Sequence, residues 1–309
     1  MKNDARRLSI LSTDEIDELF GLPHFSDDDR RLYFDLSAKE RELFDNTRTF
    51  SVAAHLVLQL GYFKAKRQFF SYEQESSVLN DLDYIAALYF PTKTLSRLKS
   101  PSRPIRAEQQ RAILDLFQYK QCDNEVKVDL EDKAQRVAML STQPIFIFRE
   151  LTQYLALHRI VMPSYRYMQE MIGRVVAYER TRIARLLSTC MTSLIDQQLA
   201  ALLRAESGVF RVSALKHEAK DFSYKELRHE VARRQFFQPL HEFAKQFLIT
   251  AGISNESGKY YASMVKFYTT YKLQRMKKET AQLYLLFFAF HRFQQINDNL
   301  IEALLHWVD

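Results

Sequence analysis

Turn-forming residues are too scarce in this chain for a strand-rich fold. Its 309 residues include 6 glycines and 7 prolines. A sandwich or barrel of short strands reverses direction often, and tight reversals draw on glycine and proline. Parallel α/β folds likewise place glycine at their strand–helix turns. The expected class is therefore all-α, a multi-module helical array containing helix-turn-helix-like units. Apolar residues at 47% and charged ones at 27% give a globular composition, and the length allows each of two or three modules a core. The expected modules are residues 1–125, 126–192 and 193–309.

Two cysteines, Cys122 and Cys190, cannot form a disulfide framework or a four-thiolate zinc site. Reduced thiols of a cytosolic protein are the expectation. The opening MKNDARRLSILSTDE lacks the apolar run of a secretory signal. The longest wholly apolar run, Leu283 to Phe290, has eight residues, where a membrane span needs about 20. No membrane partner is expected.

Charge is distributed in blocks. Residues 1–50 carry 8 basic and 12 acidic side chains, residues 51–120 carry 10 and 6, residues 121–140 carry 3 and 5, and residues 141–190 carry 7 and 3. A net charge of +6 thus hides two basic blocks, each able to set up a local positive potential toward a polyanion.

Local signals are helical throughout. Ser12 with Glu15, and Ser37 with Glu40, stand at capping-box spacing. Ser26 precedes Asp27, Asp28 and Asp29, carboxylates that a helix dipole favours in its first turn, which is preferred here to a metal site. Phe50 to Leu60 is strongly apolar, interrupted at Gly61, and followed by Lys64, Lys66 and Arg67. A helix over Leu79–Phe90 ends at Pro91. Beyond it, Lys93, Arg97, Lys99, Arg103, Arg106 and Arg111 meet one acid, Glu108. Pro101 and Pro104 restrict their predecessors, so this stretch reads as a basic extended arm suited to phosphates or a groove edge.

The clearest constellation lies in 129–190. Asp129 is expected to cap a helix running to about Leu140, and Pro144 to open the next, with Ile147, Leu151, Tyr154 and Leu155 on one face. After the turn Arg159–Pro163, Ser164 caps a long helix with Met168, Met171, Ile172 and Val175 inward. Helix, short apolar turn and capped helix suggest helix-turn-helix geometry. The second helix would present Tyr165, Arg166, Gln169, Glu170 and Arg174 outward or at the rim, of which arginine and glutamine can bond guanine and adenine edges.

Further breaks are expected at Ser207-Gly208, Asp221-Phe222-Ser223 and Ala251–Gly258. From Lys259 to Lys278 six basic residues and no acid alternate with Tyr260, Tyr261, Phe267, Tyr268 and Tyr271. That pattern fits nucleic acid, although core packing of the tyrosines is preferred. Catalytic signals are poor. His217-Glu218, His229-Glu230 and His241-Glu242 would need a second histidine four positions on for zinc, and Asp221, Arg233 and Lys245 stand there. No phosphate loop, dinucleotide fingerprint or nucleophile elbow is present. No catalytic residue, metal or cofactor is expected.

Several segments together carry a resemblance. LSTDEIDELFGLP, DRRLYFDLSAKERELF and FSVAAHLVLQLGYFKAKRQF resemble the opening of the large replicative transposases of the Tn-three class. Val52-Ala53-Ala54 stands for the usual Gly-Phe-Ala, and Ala65-Lys66-Arg67 for Pro-Gly-Arg. HRIVMPSYRYMQEMIGRVVAYER is similar to a later segment of that family, with Ser164 where glycine is common, and LYLLFFAFHRFQQINDNLIEALLHWV to a helix beyond it. The likeness runs in order along nearly the whole chain.

The resemblance implies a helical, multi-module region that binds the terminal inverted repeats of a transposon, in a bacterial, nucleoid-associated, cytoplasmic setting. It also implies that the family's RNase H-like catalytic domain lies beyond Asp309. The chain would then be a truncated gene product or a short relative, and not an enzyme by itself. The expected partner is double-stranded DNA at transposon ends, with a homodimer left open. The DNA-contacting set is Lys64, Lys66, Arg67, Arg97, Lys99, Arg103, Arg106, Arg111, Tyr165, Arg166, Gln169 and Arg174. The alternatives are a helical protein-interaction scaffold for assembly or target immunity and, more remotely, an enzyme built from distant carboxylates.

Overall fold

Serine opens each of the early helices because its hydroxyl takes over a backbone N–H that the helix leaves without a partner. In the computed structural model, which describes residues 8–47, 49–71, 76–92, 101–206, 209–216 and 223–308, the chain is all-α apart from one two-residue hairpin. Helices α1 (Thr13–Phe20), α2 (Asp27–Phe34) and α3 (Ala38–Asp45) start from Ser12, Ser26 and Ser37, each in a complete capping box. The bond from Ser26 holds the Asp29 carboxyl below its ordinary pKa. The acidic run is thus a helix start.

α4 (Phe50–Lys66) runs straight through Gly61, which does not interrupt it. The glycine serves packing. A Cβ there would lie 2.4 Å from two ring carbons of Phe34, so a hydrogen in that place lets α2 approach α4 closely. α5 (Ser76–Tyr89) follows, then α6 (Arg103–Phe117). The extended arm expected across Arg97–Arg111 is therefore helical from Arg103 onward. Pro104 sits in the first turn, where its missing N–H would have had no partner in any case. α7 (Asn124–Leu140) begins earlier than a cap at Asp129 implies. Asp123 is the residue that accepts the Val126 N–H, at 3.0 Å.

α8 (Pro144–Leu157) starts at Pro144, and Ser164 caps α9 (Tyr165–Cys190) through the Tyr167 N–H. The expected inward residues of both helices, from Ile147 to Val175, are buried, except that Tyr154 is half-buried. Residues 158–164 connect the two helices and are held to Lys120 by a pair of backbone hydrogen bonds of 2.8 and 2.9 Å. That connection is longer than the turn of about three or four residues in a helix-turn-helix.

α10 (Ser193–Leu202), the hairpin β1 (Ala205–Glu206) with β2 (Val209–Phe210), and α11 (Arg211–Leu215) come next. α12 (Tyr224–Ala251) starts at Ser223 and stops at Gly252, which takes the left-handed conformation. α13 (Asn255–Phe267) then carries Gly258 inside it, so the break is shorter than expected. α14 (Thr270–Gln274) and α15 (Lys278–Val308) complete the chain.

The chain divides into two compact units, Met1–Leu130 with Arg149–Glu170, and Glu131–Phe148 with Met171–Asp309. The core of the first is built from α2, α4, α5 and α6 around Phe34, Leu58, Tyr62, Phe63, Ile85 and Ile113. In the second, α12 and α13 pack on α15. There the apolar run Leu283–Phe290 is buried along its whole length. No described helix is long and apolar enough to cross a membrane.

Candidate nucleic-acid interface

The cations expected to face a polyanion separate into those the first unit uses internally and those it leaves outward. Lys64, near the end of α4, is internal. Its ammonium donates to the Asp35 carbonyl at 2.7 Å and to Glu40 Oε2 at 3.5 Å. Burial pushes its pKa down, with Glu40 pulling the other way. Lys66 is half-buried and donates to the Glu18 carbonyl. Arg67 is different. It ends α4 in the left-handed conformation, is exposed, and lays its guanidinium over Phe63, Phe117 and Tyr119 at 5.3 to 5.8 Å.

Arg103, Arg106 and Arg111 all stand on α6, spread over about 140° of arc at ~100° per residue. Arg103 and Arg111 are exposed and Arg106 is half-buried. Among the described residues, no carboxylate lies within ion-pair distance of any of them. The first turn of α6 holds no acid, and Ser102 caps it without a side-chain bond. Two arginines at the positive end of a helix dipole raise the local potential. Arg97 and Lys99 lie outside the described residues.

The α9 set is brought together but largely occupied. The Tyr165 hydroxyl accepts the N–H groups of Ile10 and Leu11 at 3.4 and 3.3 Å, and its ring meets Phe20 at 5.6 Å. Gln169 donates to the Leu8 carbonyl at 2.8 Å. Both are half-buried, at the rim of the helix rather than fully outward, with the segment preceding α1 over them. Arg166 is exposed and pairs with Glu170 at 3.0 Å, and Arg174 pairs with Glu131 at 3.0 Å. Exposed pairs of this kind contribute about 0.2–1 kcal/mol and yield readily to a stronger anion.

Two features gave no local signal. His55, inside α4, is buried, and burial followed by the charge of Arg106 pushes its pKa down to about 4. An unfolded imidazole titrates near ~6.5. The unfolded chain therefore takes up a proton that the folded unit refuses between those values. Stability is complete above about pH 6.5 and is expected to fall by about 3 kcal/mol as pH drops through that window. Denaturant unfolding at several pH values reads this directly, and His55→Gln should flatten the profile. An unchanged slope in that variant would assign the loss to other groups. The second feature is buried Asp81, which accepts from Arg30 Nε and from the Tyr62 hydroxyl, both at 2.9 Å.

In the second unit, one member of each histidine–glutamate pair within the described residues packs into the fold. Glu230 is buried against Arg233, and His241 stacks on Phe290 and Phe293 at 4.8 and 4.3 Å. His217, Glu218 and Asp221 lie outside the described residues. Among the described residues no three His, Cys, Asp or Glu side chains converge as metal ligands. Of the basic–aromatic stretch, Tyr261 is core and Tyr260 and Tyr268 are half-buried, while Phe267 and Tyr271 are exposed.

Residues 10–175, more than half of the chain, match a family model described as a domain of unknown function, DUF4158. No curated protein matches the chain.

Proposed function

The chain belongs to the DUF4158 family, and from that premise we propose that it binds double-stranded DNA at the ends of a transposon. It would act as the non-catalytic N-terminal part of a Tn-three class transposition machinery and need no cofactor for binding. The family description names no activity, so the reading rests on the ordered resemblance and on the residues themselves.

The observation that carries it is the trio Arg103, Arg106 and Arg111, free of carboxylate partners among the described residues and starting at a helix N-terminus. Oriented N–H groups and fixed cations are what a phosphate backbone requires. Arg67 adds a fourth cation beside Phe117, the last residue of α6. Lys64 and Lys66 support the frame that holds them. Of the α9 set, exposed Arg166 would read a base edge once Glu170 releases it.

A titration of the chain on a candidate inverted repeat and on a scrambled duplex, at two salt concentrations, tests this. The repeat is expected to bind at least about tenfold tighter, each good base contact giving about 1–3 kcal/mol. Affinity for both duplexes should fall steeply with salt, log K against log salt having a slope of about −0.9 per phosphate engaged. Equal, salt-insensitive binding to both would remove the proposal.

One observation favours the scaffold reading. Ile301, Leu304 and Leu305 leave an apolar strip exposed near the end of α15. That reading expects no preference for the repeat, and weak binding to either duplex.

A further inference from the structure

We infer that the second unit carries a separate platform for single-stranded nucleic acid, formed by Phe267 and Tyr271 with Lys266, Lys272, Arg275 and Lys277. Phe267 is 77% exposed and Tyr271 64%. A lone exposed ring needs no explanation. Here two rings are held in place among cations, with no acidic residue from 257 through 278.

The frame beneath them is rigid. α14 is anchored from inside by buried Leu273 and by Thr270, whose hydroxyl meets that of Ser213 at 2.9 Å. Gln274 donates to the Leu203 carbonyl at 3.0 Å, and Lys216 to the Tyr268 carbonyl at 3.0 Å. Tyr271 meets Phe210 edge to face at 5.3 Å, and Phe267 meets Tyr268 in the same way at 5.2 Å. Edge contacts fix a ring's orientation while leaving a face open. Lys272 holds its ammonium 4.3 Å from the Tyr268 ring. Among the described residues, Lys266, Arg275 and Lys277 have no ion-pair partner and are exposed.

Open ring faces discriminate between forms of nucleic acid. A duplex keeps its base faces stacked inside and shows edges, sugars and phosphates, which gain little from a ring face. An unpaired nucleotide offers a free π-face with a phosphate attached, and this surface supplies a partner for each.

The test uses the full chain and two labelled strands of about 16 nucleotides, oligothymidine and an abasic deoxyribose-phosphate of equal length and charge. Oligothymidine is expected to bind at least about tenfold tighter than the abasic strand. Joint Phe267→Ala and Tyr271→Ala replacement should remove that preference, weakening oligothymidine by about tenfold or more and leaving the abasic strand unchanged. Phe267→Trp should keep affinity, and emission should fall on binding relative to the parent, whose single tryptophan is Trp307. Equal binding of the two strands, or parent-like affinity in the double alanine variant, overturns the inference. Alanine at Arg103, Arg106 and Arg111 should leave the strand difference intact, so failure of the duplex reading and failure of this one are separately visible.

Discussion

Replacing Arg103, Arg106 and Arg111 together by alanine is expected to lower duplex affinity by about 10² to 10³-fold, equally for repeat and scrambled DNA. A hydrogen bond to a charged group contributes about 1.5–3 kcal/mol, so three full contacts even at the low end would reach the top of that range, and partial loss falls within it. The salt slope should become shallower by nearly 3, at about 0.9 per phosphate lost. Folding should respond in the opposite sense. Two of the arginines stand in the first turns of α6, where positive charge opposes the helix dipole. Arg106 also lowers the pKa of His55, so its removal should raise that pKa and soften the acid loss of stability. Anisotropy titrations and thermal melts on the same variant would therefore move apart, affinity falling while the melting temperature holds or rises. A parallel fall in both would make the arginines structural. Arg166→Ala should behave differently, reducing preference for the repeat while hardly changing scrambled DNA.

What the sequence makes visible is local chemistry. The capping boxes at Ser12 and Ser37, and the helix starts at Ser26, Pro144 and Ser164, depend on residues within three positions of each other. Those readings stand. The all-α class follows from the same local accounting of turn residues. Gly61 was misleading because its role is set by Phe34, a partner 27 positions away in the chain. Pro101 and Pro104 suggested an extended arm, although a proline is equally at home in a helix's first turn, and nothing local distinguishes the two. The candidate interface suffered most. Tyr165 and Gln169 have the chemistry of base readers, but their partners at Leu8, Ile10 and Leu11 are more than 150 residues away. Arg67 was legible as a cation, while its aromatic seat on Phe117 and Tyr119 required the fold. Charge and spacing nominate candidates, and tertiary contacts decide which of them remain available.

The second large effect belongs to a group no pattern singles out. Asp81→Ala is expected to destabilise the first unit by about 3–5 kcal/mol, the usual loss when one partner of a buried pair is removed. The melting temperature should drop by about 10 °C, at a few degrees per kcal/mol for a unit of this size. Asp81 on α5 is 1% exposed and joins Arg30 on α2 to Tyr62 on α4. Its loss takes away the carboxylate that accepts from the buried Tyr62 hydroxyl. It also leaves the Arg30 guanidinium, its side chain 18% exposed, with Asp27 at 2.8 Å as its remaining carboxylate, one that lies in solvent. The bond to Asp81 is the largest influence holding the Arg30 pKa up, so that cation bears most of the loss. Tyr62→Phe removes one hydrogen bond to the buried carboxylate and should lower stability by about 1.5–3 kcal/mol. A joint Arg30→Met and Asp81→Leu change should recover much of the loss, because apolar groups of similar volume avoid the desolvation of both charges. Within about 1 kcal/mol of the parent for Asp81→Ala, or no recovery in the double variant, the three-helix tie would be incidental. Asp81→Leu alone separates a charge left stranded from a cavity left empty: it fills the volume but strands the Arg30 cation, so it should stay close to the alanine variant if the charge is the cause and recover if the cavity is.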